Sequence, residues 1–563
     1  MLMRTYSEFL FFLFIVFYLI LFAESPEAVR GKNGMVVSAS RLASEVGIEI
    51  LKKGGNAVDA AVAVGFALAV TYPAAGNIGG GGFMVIRFND GKSTAIDYRE
   101  KAPLNSYEKM FQDSAGNFLP ALSQEGTASA GVPGSVAGLI YALEKYGTMK
   151  LSDILQPAVK LAEEGFLLDY QLAQSINFYY QDFLKYPSSK KIFTNNDRPF
   201  IEGDLFVQKD LAHTLKLIAE NGRDGFYKGE VAKRLVAQIQ SLGGILTQED
   251  LDNYFPVERL PLAGTYRGYE IITMGPPSAG GITLLQTLNI LENKTFSRDD
   301  WGSSNYIHTI TEALKYSFAD RSKYLGDPDF YPVPVDKLIS KSYARELFQR
   351  ISDSAVPSIE INPGRYLSFE ESKETTHYSV IDKEGNAVST TTTLNSSFGS
   401  RIVVDGAGFL LNNEMDDFSS KPGEPNQFGL IGSEANRIQP GKRMLSSMTP
   451  TIITKNEKPV LILGSPGGST IPTVVLQVIL NYLDFGMDIQ QAVNAPRFHH
   501  QWLPDQIDFE EFGIVKDVME NLIAKGQRIG DKKILGRVEA VAIENNLYLG
   551  ATDPRGSGAA VGY

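Results

Sequence analysis

Threonines crowd one short stretch of the chain. Thr375-Thr376-His377-Tyr378-Ser379-Val380 leads into a polar turn ending at Gly385-Asn386, and the return run Ala387 to Leu394 carries Thr390, Thr391, Thr392 and Thr393, with Asn395 just beyond. Two β-prone runs around such a turn predict a hairpin, which clusters the hydroxyls where the strands come back together. Threonine is a poor nucleophile unless a base sits beside it. As the first residue of a chain it can use its own α-amine, which titrates near pH ~8. That chemistry requires cleavage between Glu374 and Thr375: the Thr375 hydroxyl could attack the preceding carbonyl, making an ester that water opens. The alternative is a well-paired strand, because threonine favours sheets.

Other residues suit a site with charge. Arg99, at the end of the run Thr94 to Tyr98, could hold a carboxylate through two parallel hydrogen bonds, or form a surface salt bridge with Glu100. Gly464-Ser465-Pro466-Gly467-Gly468-Ser469 precedes the apolar segment Ile471 to Leu483, which reads as a helix. Consecutive glycine amides there could receive an anion or oxyanion, or simply make a tight turn. The glycine run 76–82 precedes a strand and lacks dinucleotide-binding spacing, so it reads as close backbone packing. Gly91-Lys92-Ser93 mimics the end of a phosphate loop, but Ile86 stands where that loop needs glycine, and a hairpin turn fits better. His499-His500 would face opposite sides of a strand with no third ligand spaced for zinc. No G-x-S-x-G motif occurs, and no metal or cofactor is expected.

Helical spacing at Arg41 to Lys53 and an all-apolar segment, Ala57 to Val70, predict one amphipathic and one buried helix. Residues 133–350 read as mostly helical, with helices at Ser135 to Lys145, Leu151 to Glu164, Leu211 to Glu220, Glu230 to Ser241 and Ser304 to Leu325. Helices flanking strands on both sides of the hairpin suggest α layers outside β layers.

The chain has 563 residues, 43% hydrophobic and 21% charged, the balance of a globular protein with a large core. Its net charge of −12 and lack of a basic stripe argue against nucleic acid. No cysteine is present, which removes disulfides, thiolate chemistry and a lipoprotein anchor together. Residues 1 to 25 combine Arg4, an apolar run from Phe9 to Phe22, and Ala23-Glu24-Ser25, and read as a signal peptide or an uncleaved anchor. Either way the body is expected to be exported, to the periplasm or outside the cell.

Five ordered motifs carry a resemblance to γ-glutamyltranspeptidase: Thr375-Thr376-His377-Tyr378-Ser379, Leu411-Asn412-Asn413-Glu414-Met415-Asp416-Asp417-Phe418, Leu445-Ser446-Ser447-Met448, Gly464-Ser465-Pro466-Gly467-Gly468, and Asn494-Ala495-Pro496-Arg497-Phe498-His499-His500. The similarity runs in unbroken order from about Ala28 to Tyr563. It implies an α+β, four-layer αββα fold of the N-terminal-nucleophile hydrolases, and a precursor that cuts itself into a large subunit, 26–374, and a small one, 375–563. By resemblance Thr375 is the nucleophile, Thr393 its hydrogen-bonding partner, and Gly467 and Gly468 supply the oxyanion-hole amides. Arg99, Ser446 and Ser447 would hold the donor's α-carboxylate; Asn395, Glu414 and Asp417 its α-ammonium. The reaction implied is ping-pong transfer of a γ-glutamyl group from glutathione or a related donor to water, an amino acid or a peptide. The partners expected are these small molecules and the two subunits, with no nucleic acid and no integral membrane partner.

One departure stands out. Relatives with a lid often carry Tyr or Asn at its tip, whereas the loop 418–446 has Phe428, which can cover a pocket by packing but offers no hydroxyl, so the lid is expected to be more loosely latched. Competing readings are a glutaryl or cephalosporin acylase of the same fold and an unprocessed exported binding protein.

Overall fold

The computed structural model describes residues 26–361 and 375–563. The Glu374 side of the expected cleavage site and the expected leader, residues 1–25, lie outside the described residues.

Alternation along the strands sorts their side chains into two cores. In Gly34–Ser38, Val36 faces one core while Met35 and Val37 face the other; in Gly81–Arg87, Met84 and Ile86 part from Phe83 and Val85 in the same way. A strand with period two that is apolar on both faces must be covered on both.

The first core lies between this sheet and an outer layer of helices. The layer includes Arg41–Lys52, Ala57–Thr71, Ser135–Tyr146, Leu151–Glu164 and Lys209–Asn221. Every residue of Ala57–Thr71 is buried, and its start is fixed by a capping box. Asn56 accepts from the amides of Val58 and Asp59, and Asp59 accepts from that of Asn56. Such a cap contributes about 1 kcal/mol. The second core lies between this sheet and another, and continues into the helices Gly280–Leu291, Ser304–Tyr324 and Ile471–Leu483. The order of layers is therefore α, β, β, α.

Each sheet has seven antiparallel strands. One runs Ala559–Gly562, Gly34–Ser38, Thr376–Asp382, Ala387–Thr393, Gly81–Arg87, Ser93–Asp97, Val257–Arg259. The other runs Val29–Gly31, Leu547–Thr552, Glu539–Glu544, Lys458–Gly464, Thr451–Lys455, Tyr269–Thr273, Leu262–Tyr266. The threonine hairpin thus inserts between strands from the first hundred residues, and the chain before and after residues 362–374 builds a single fold jointly. Its turn is tied down by Asp382, which accepts from the amides of Ala57, Glu384 and Asn386.

The stretch read as mostly helical also contains five strands, the two-residue pair Phe166–Leu167 and Leu205–Phe206 together with Val257–Arg259, Leu262–Tyr266 and Tyr269–Thr273. Val257–Arg259 and Leu262–Tyr266 are half-exposed edge strands, three and five residues long, too short for an alternating pattern to stand out. The glycine run packs backbone on backbone as its composition predicts: a Cβ on Gly79 would lie 2.1 Å from the Leu410 carbonyl oxygen, and one on Gly80 2.1 Å from that of Thr393. Among the described residues no helix is long and apolar enough to cross a membrane.

Candidate active site

Thr375 sits immediately before the strand Thr376–Asp382 and is buried. The hairpin pairs Thr376 with Thr392, so one further step of the same register sets Thr375 opposite Thr393. Both line one cavity.

The return strand is held from below. Asn77, inside the glycine run, donates to the Thr393 carbonyl at 2.8 Å and to Thr392 Oγ1 at 3.3 Å, while its Oδ1 accepts from the Gly80 amide and from Ser135. The outgoing strand is held between the sheets by His377. Ser379 donates its one hydroxyl proton to the Glu539 carbonyl, so it must accept from His377 Nε2 at 3.0 Å; Nδ1 then accepts from Thr391 at 2.8 Å. Burial pushes the imidazole down to about 3, so it stays neutral and this orientation is fixed. The threonines at the hairpin's open end are thereby mounted on a stiff base.

Gly467 and Gly468 both have positive φ, +131° and +55°, a backbone that glycine adopts without penalty. A single 3₁₀ turn, Gly468–Thr470, then leads into the helix Ile471–Leu483. Gly468 lines the cavity beside Thr375; Gly467 does not. Phe428 is buried and its ring lies over Gly468, where an added Cβ would come within 2.6 Å of Cδ1. The Phe428 carbonyl accepts from Gln501 Nε2 at 3.1 Å and its amide donates to Asn426 Oδ1. The loop is therefore held at this point by backbone atoms, without any hydroxyl on the ring.

Opposite the threonines lies a knot of buried charge. Arg99 is fully buried, neither at the surface nor paired only with Glu100. Its Nη1 lies 2.7 Å from Glu414 and 3.4 Å from Glu100, its Nη2 donates to Asp417, and Nε donates to the Met444 carbonyl. Burial raises Glu414 well above the usual carboxylate range despite the attraction of Arg99, raises Asp417 in the same direction, and brings Glu100 to about 7. A proton shared between Glu414 and Asp417 is what such crowding favours. Glu414 stands behind Arg99 rather than on the cavity wall.

The cavity is lined by Thr375, Thr393, Asn395, Arg99, Asp417, Ser446, Ser447, Gly468 and Phe428, and also by Arg321. Ser446 is positioned by its amide on the Pro277 carbonyl, and its Oγ accepts from the Met448 amide. Asn395, with φ +78°, donates from its side chain to the Asn413 carbonyl. The free volume is about 20 Å³, the room of one water. His499 and His500 turn to different partners, Thr473 and Gln501 for the first and Asp505 for the second.

A strand end with paired threonines, a glycine turn and a set of cationic and anionic groups thus meet in one place, drawn from six separate stretches. The sequence model of the gamma-glutamyltranspeptidase family matches residues 43–563. The chain belongs to that family. It is 50% identical to the glutathione hydrolase proenzyme of Escherichia coli K12 over 531 residues, 94% of this chain and 91% of that protein. Among solved structures, cephalosporin acylase from Bacillus halodurans superposes with a TM-score of 0.85 at 29% identity, covering 96% of this chain and 98% of the other. The γ-glutamyltranspeptidase of Helicobacter pylori matches with a TM-score of 0.57 at 50% identity, covering 61% of this chain and 97% of that one. The γ-glutamyltranspeptidase fold is thus shared with acylases, and the residues of the cavity must decide between them.

Asn77, Gln501 and Arg321 are the additions the structure makes. An asparagine inside a glycine run was the one available signal for Asn77. Arg321 sits on a helix buried on nearly every side, where no polar face marks it out.

Proposed function

We propose that this protein is a self-processing γ-glutamyl transferase and hydrolase whose nucleophile is Thr375. Family membership over nearly the whole chain gives the reaction class, and relatives named as proenzymes support two subunits from one precursor. In this reading Thr375 Oγ1 adds to the Glu374 carbonyl carbon, the peptide C–N bond breaks, and water opens the resulting ester. That leaves 26–374 and 375–563 as separate chains and gives Thr375 a free amine. The amine then takes the hydroxyl proton as Oγ1 attacks the γ-amide of glutathione or a similar donor. Amides of Gly467 and Gly468 receive the oxyanion, and Thr393 orients the hydroxyl. The proton passes to the departing amine, and water or an amino acid or peptide amine attacks the acyl-enzyme.

The observation that carries the reading is the pairing of Arg99 with Glu414 and Asp417 beside Thr375. A γ-glutamyl head bears one carboxylate and one ammonium, so it can replace this internal pairing group for group: carboxylate on Arg99, Ser446 and Ser447, ammonium on Asp417, Glu414 and Asn395. A glutaryl group lacks the ammonium and would leave Asp417, on the cavity wall, facing a ligand that offers it no charged partner, which is costly. The acylase reading therefore fits the fold but not these side chains. Comparison of γ-glutamyl and glutaryl anilides as donors tests this: the first is expected to be hydrolysed strongly and the second weakly, and the reverse preference would establish the acylase. The leader-like residues 1–25 support export of the mature enzyme.

A further inference from the structure

Arg321 lies in the last turn of the helix Ser304–Tyr324, 6% exposed, and lines the Thr375 cavity. Its Nε has no hydrogen-bond partner among the described residues. Asp417 is the one carboxylate among the described residues that lines the same cavity, and it opposes the burial that draws Arg321 down to about 10. A guanidinium buried at such cost calls for an anion that it serves.

Asp417 is reached from several sides. Arg99 contacts its Oδ2, Asn426 Nδ2 lies 3.2 Å from Oδ1, and Glu414, Glu100 and Asp416 add negative charge nearby. If a donor's α-carboxylate occupies Arg99, as proposed above, Asp417 loses its contacting cation at the moment it must face the ammonium. Arg321 is the cation that remains.

We propose that Arg321 is a positioning residue for the donor, acting through Asp417: it keeps that carboxylate charged and in place while Arg99 passes from Asp417 to the donor's carboxylate. This rests on the γ-glutamyl reading and extends it to a residue that the reading did not use.

The test is a double-mutant cycle on the matured enzyme with a γ-glutamyl anilide donor. R321Q is expected to raise KM about tenfold or more, with kcat within about threefold, and R321K is expected to recover part of the loss. In a D417N background R321Q is expected to change KM no further, and the residual turnover of a glutaryl anilide is expected to be indifferent to it. A merely structural role would lower kcat and maturation together and add fully to D417N. Wild-type enzyme inert toward the γ-glutamyl anilide would sink the functional reading and this inference with it. Active wild-type enzyme with R321Q equal in KM, or additive with D417N, would overturn this inference alone. If R321Q does not mature, R321K carries the same cycle, with a smaller KM increase that D417N again erases; additivity overturns the proposal.

Discussion

Nη1 of Arg99 lies 2.7 Å from Oε2 of Glu414 in a site where both are buried, although one is assigned to the donor's carboxylate and the other to its ammonium. Arg99 and the acids around it thus pair with one another, and in the proposed reading a donor must displace that pairing.

That displacement has a pH signature. Burial raises Glu414 well above the ordinary carboxylate range and raises Asp417 in the same direction, so in the proposed reading a proton competes with the donor's ammonium for these carboxylates. Lowering the pH favours the proton, so donor KM is expected to rise toward acid. In E414Q the limb of the KM profile is expected to move to lower pH, because the group raised furthest in contact with Arg99 no longer titrates. A profile identical in the wild type and E414Q would show that Glu414 keeps its protonation state when donor binds.

The lid gives a second prediction. Phe428 is held by its ring over Gly468 and by the carbonyl that accepts from Gln501. Q501A is expected to loosen the loop and raise the share of hydrolysis over transfer to a dipeptide acceptor, measured by the ratio of products. F428Y is expected to alter the same ratio by adding a hydroxyl contact. If both variants match the wild type in hydrolysis, transfer and their ratio, the loop does not control access to the acyl-enzyme.

Stability before the cleavage region depends on a second buried charge cluster. Lys315 lies 2.8 Å from Glu312 and 3.5 Å from Asp505, and donates to the Val356 carbonyl at 3.0 Å. Asp505 accepts from the amide and hydroxyl of Ser358, and Trp502 Nε1 donates to the Ser358 carbonyl. This knot ties residues 356–358 to the chain beyond Thr375. K315M leaves two carboxylates without their buried cation and is expected to cost about 3–5 kcal/mol, visible as a lower midpoint in thermal unfolding. An unchanged midpoint would show that the cluster contributes nothing net.

Much of this was legible in the sequence because the signals were local. The hairpin, the helices Arg41–Lys52 and Ala57–Thr71, and the glycine packing follow from period, caps and composition. The strands Leu262–Tyr266 and Tyr269–Thr273 did not stand out, since each is five residues long and neither alternates cleanly between buried and exposed positions. At the site, the type and spacing of the threonines left a well-paired strand and a nucleophile both open, and the family resemblance favoured the second. The contact of Arg99 with Asp417, 318 residues away, did not, because sequence distance carries no trace of it. Arg321 and Gln501 act through the tertiary fold alone, and only their neighbours in space give them meaning.

The claim on which the rest depends is that Thr375 frees its own amine. Intact mass and N-terminal sequencing of the purified protein test it directly, beside T375A. The wild type is expected to yield two chains, the smaller beginning Thr375-Thr376-His377, while T375A stays a single inactive chain. An active wild-type enzyme that remains one unbroken chain would contradict the account, for Thr375 would then have no amine to act as base.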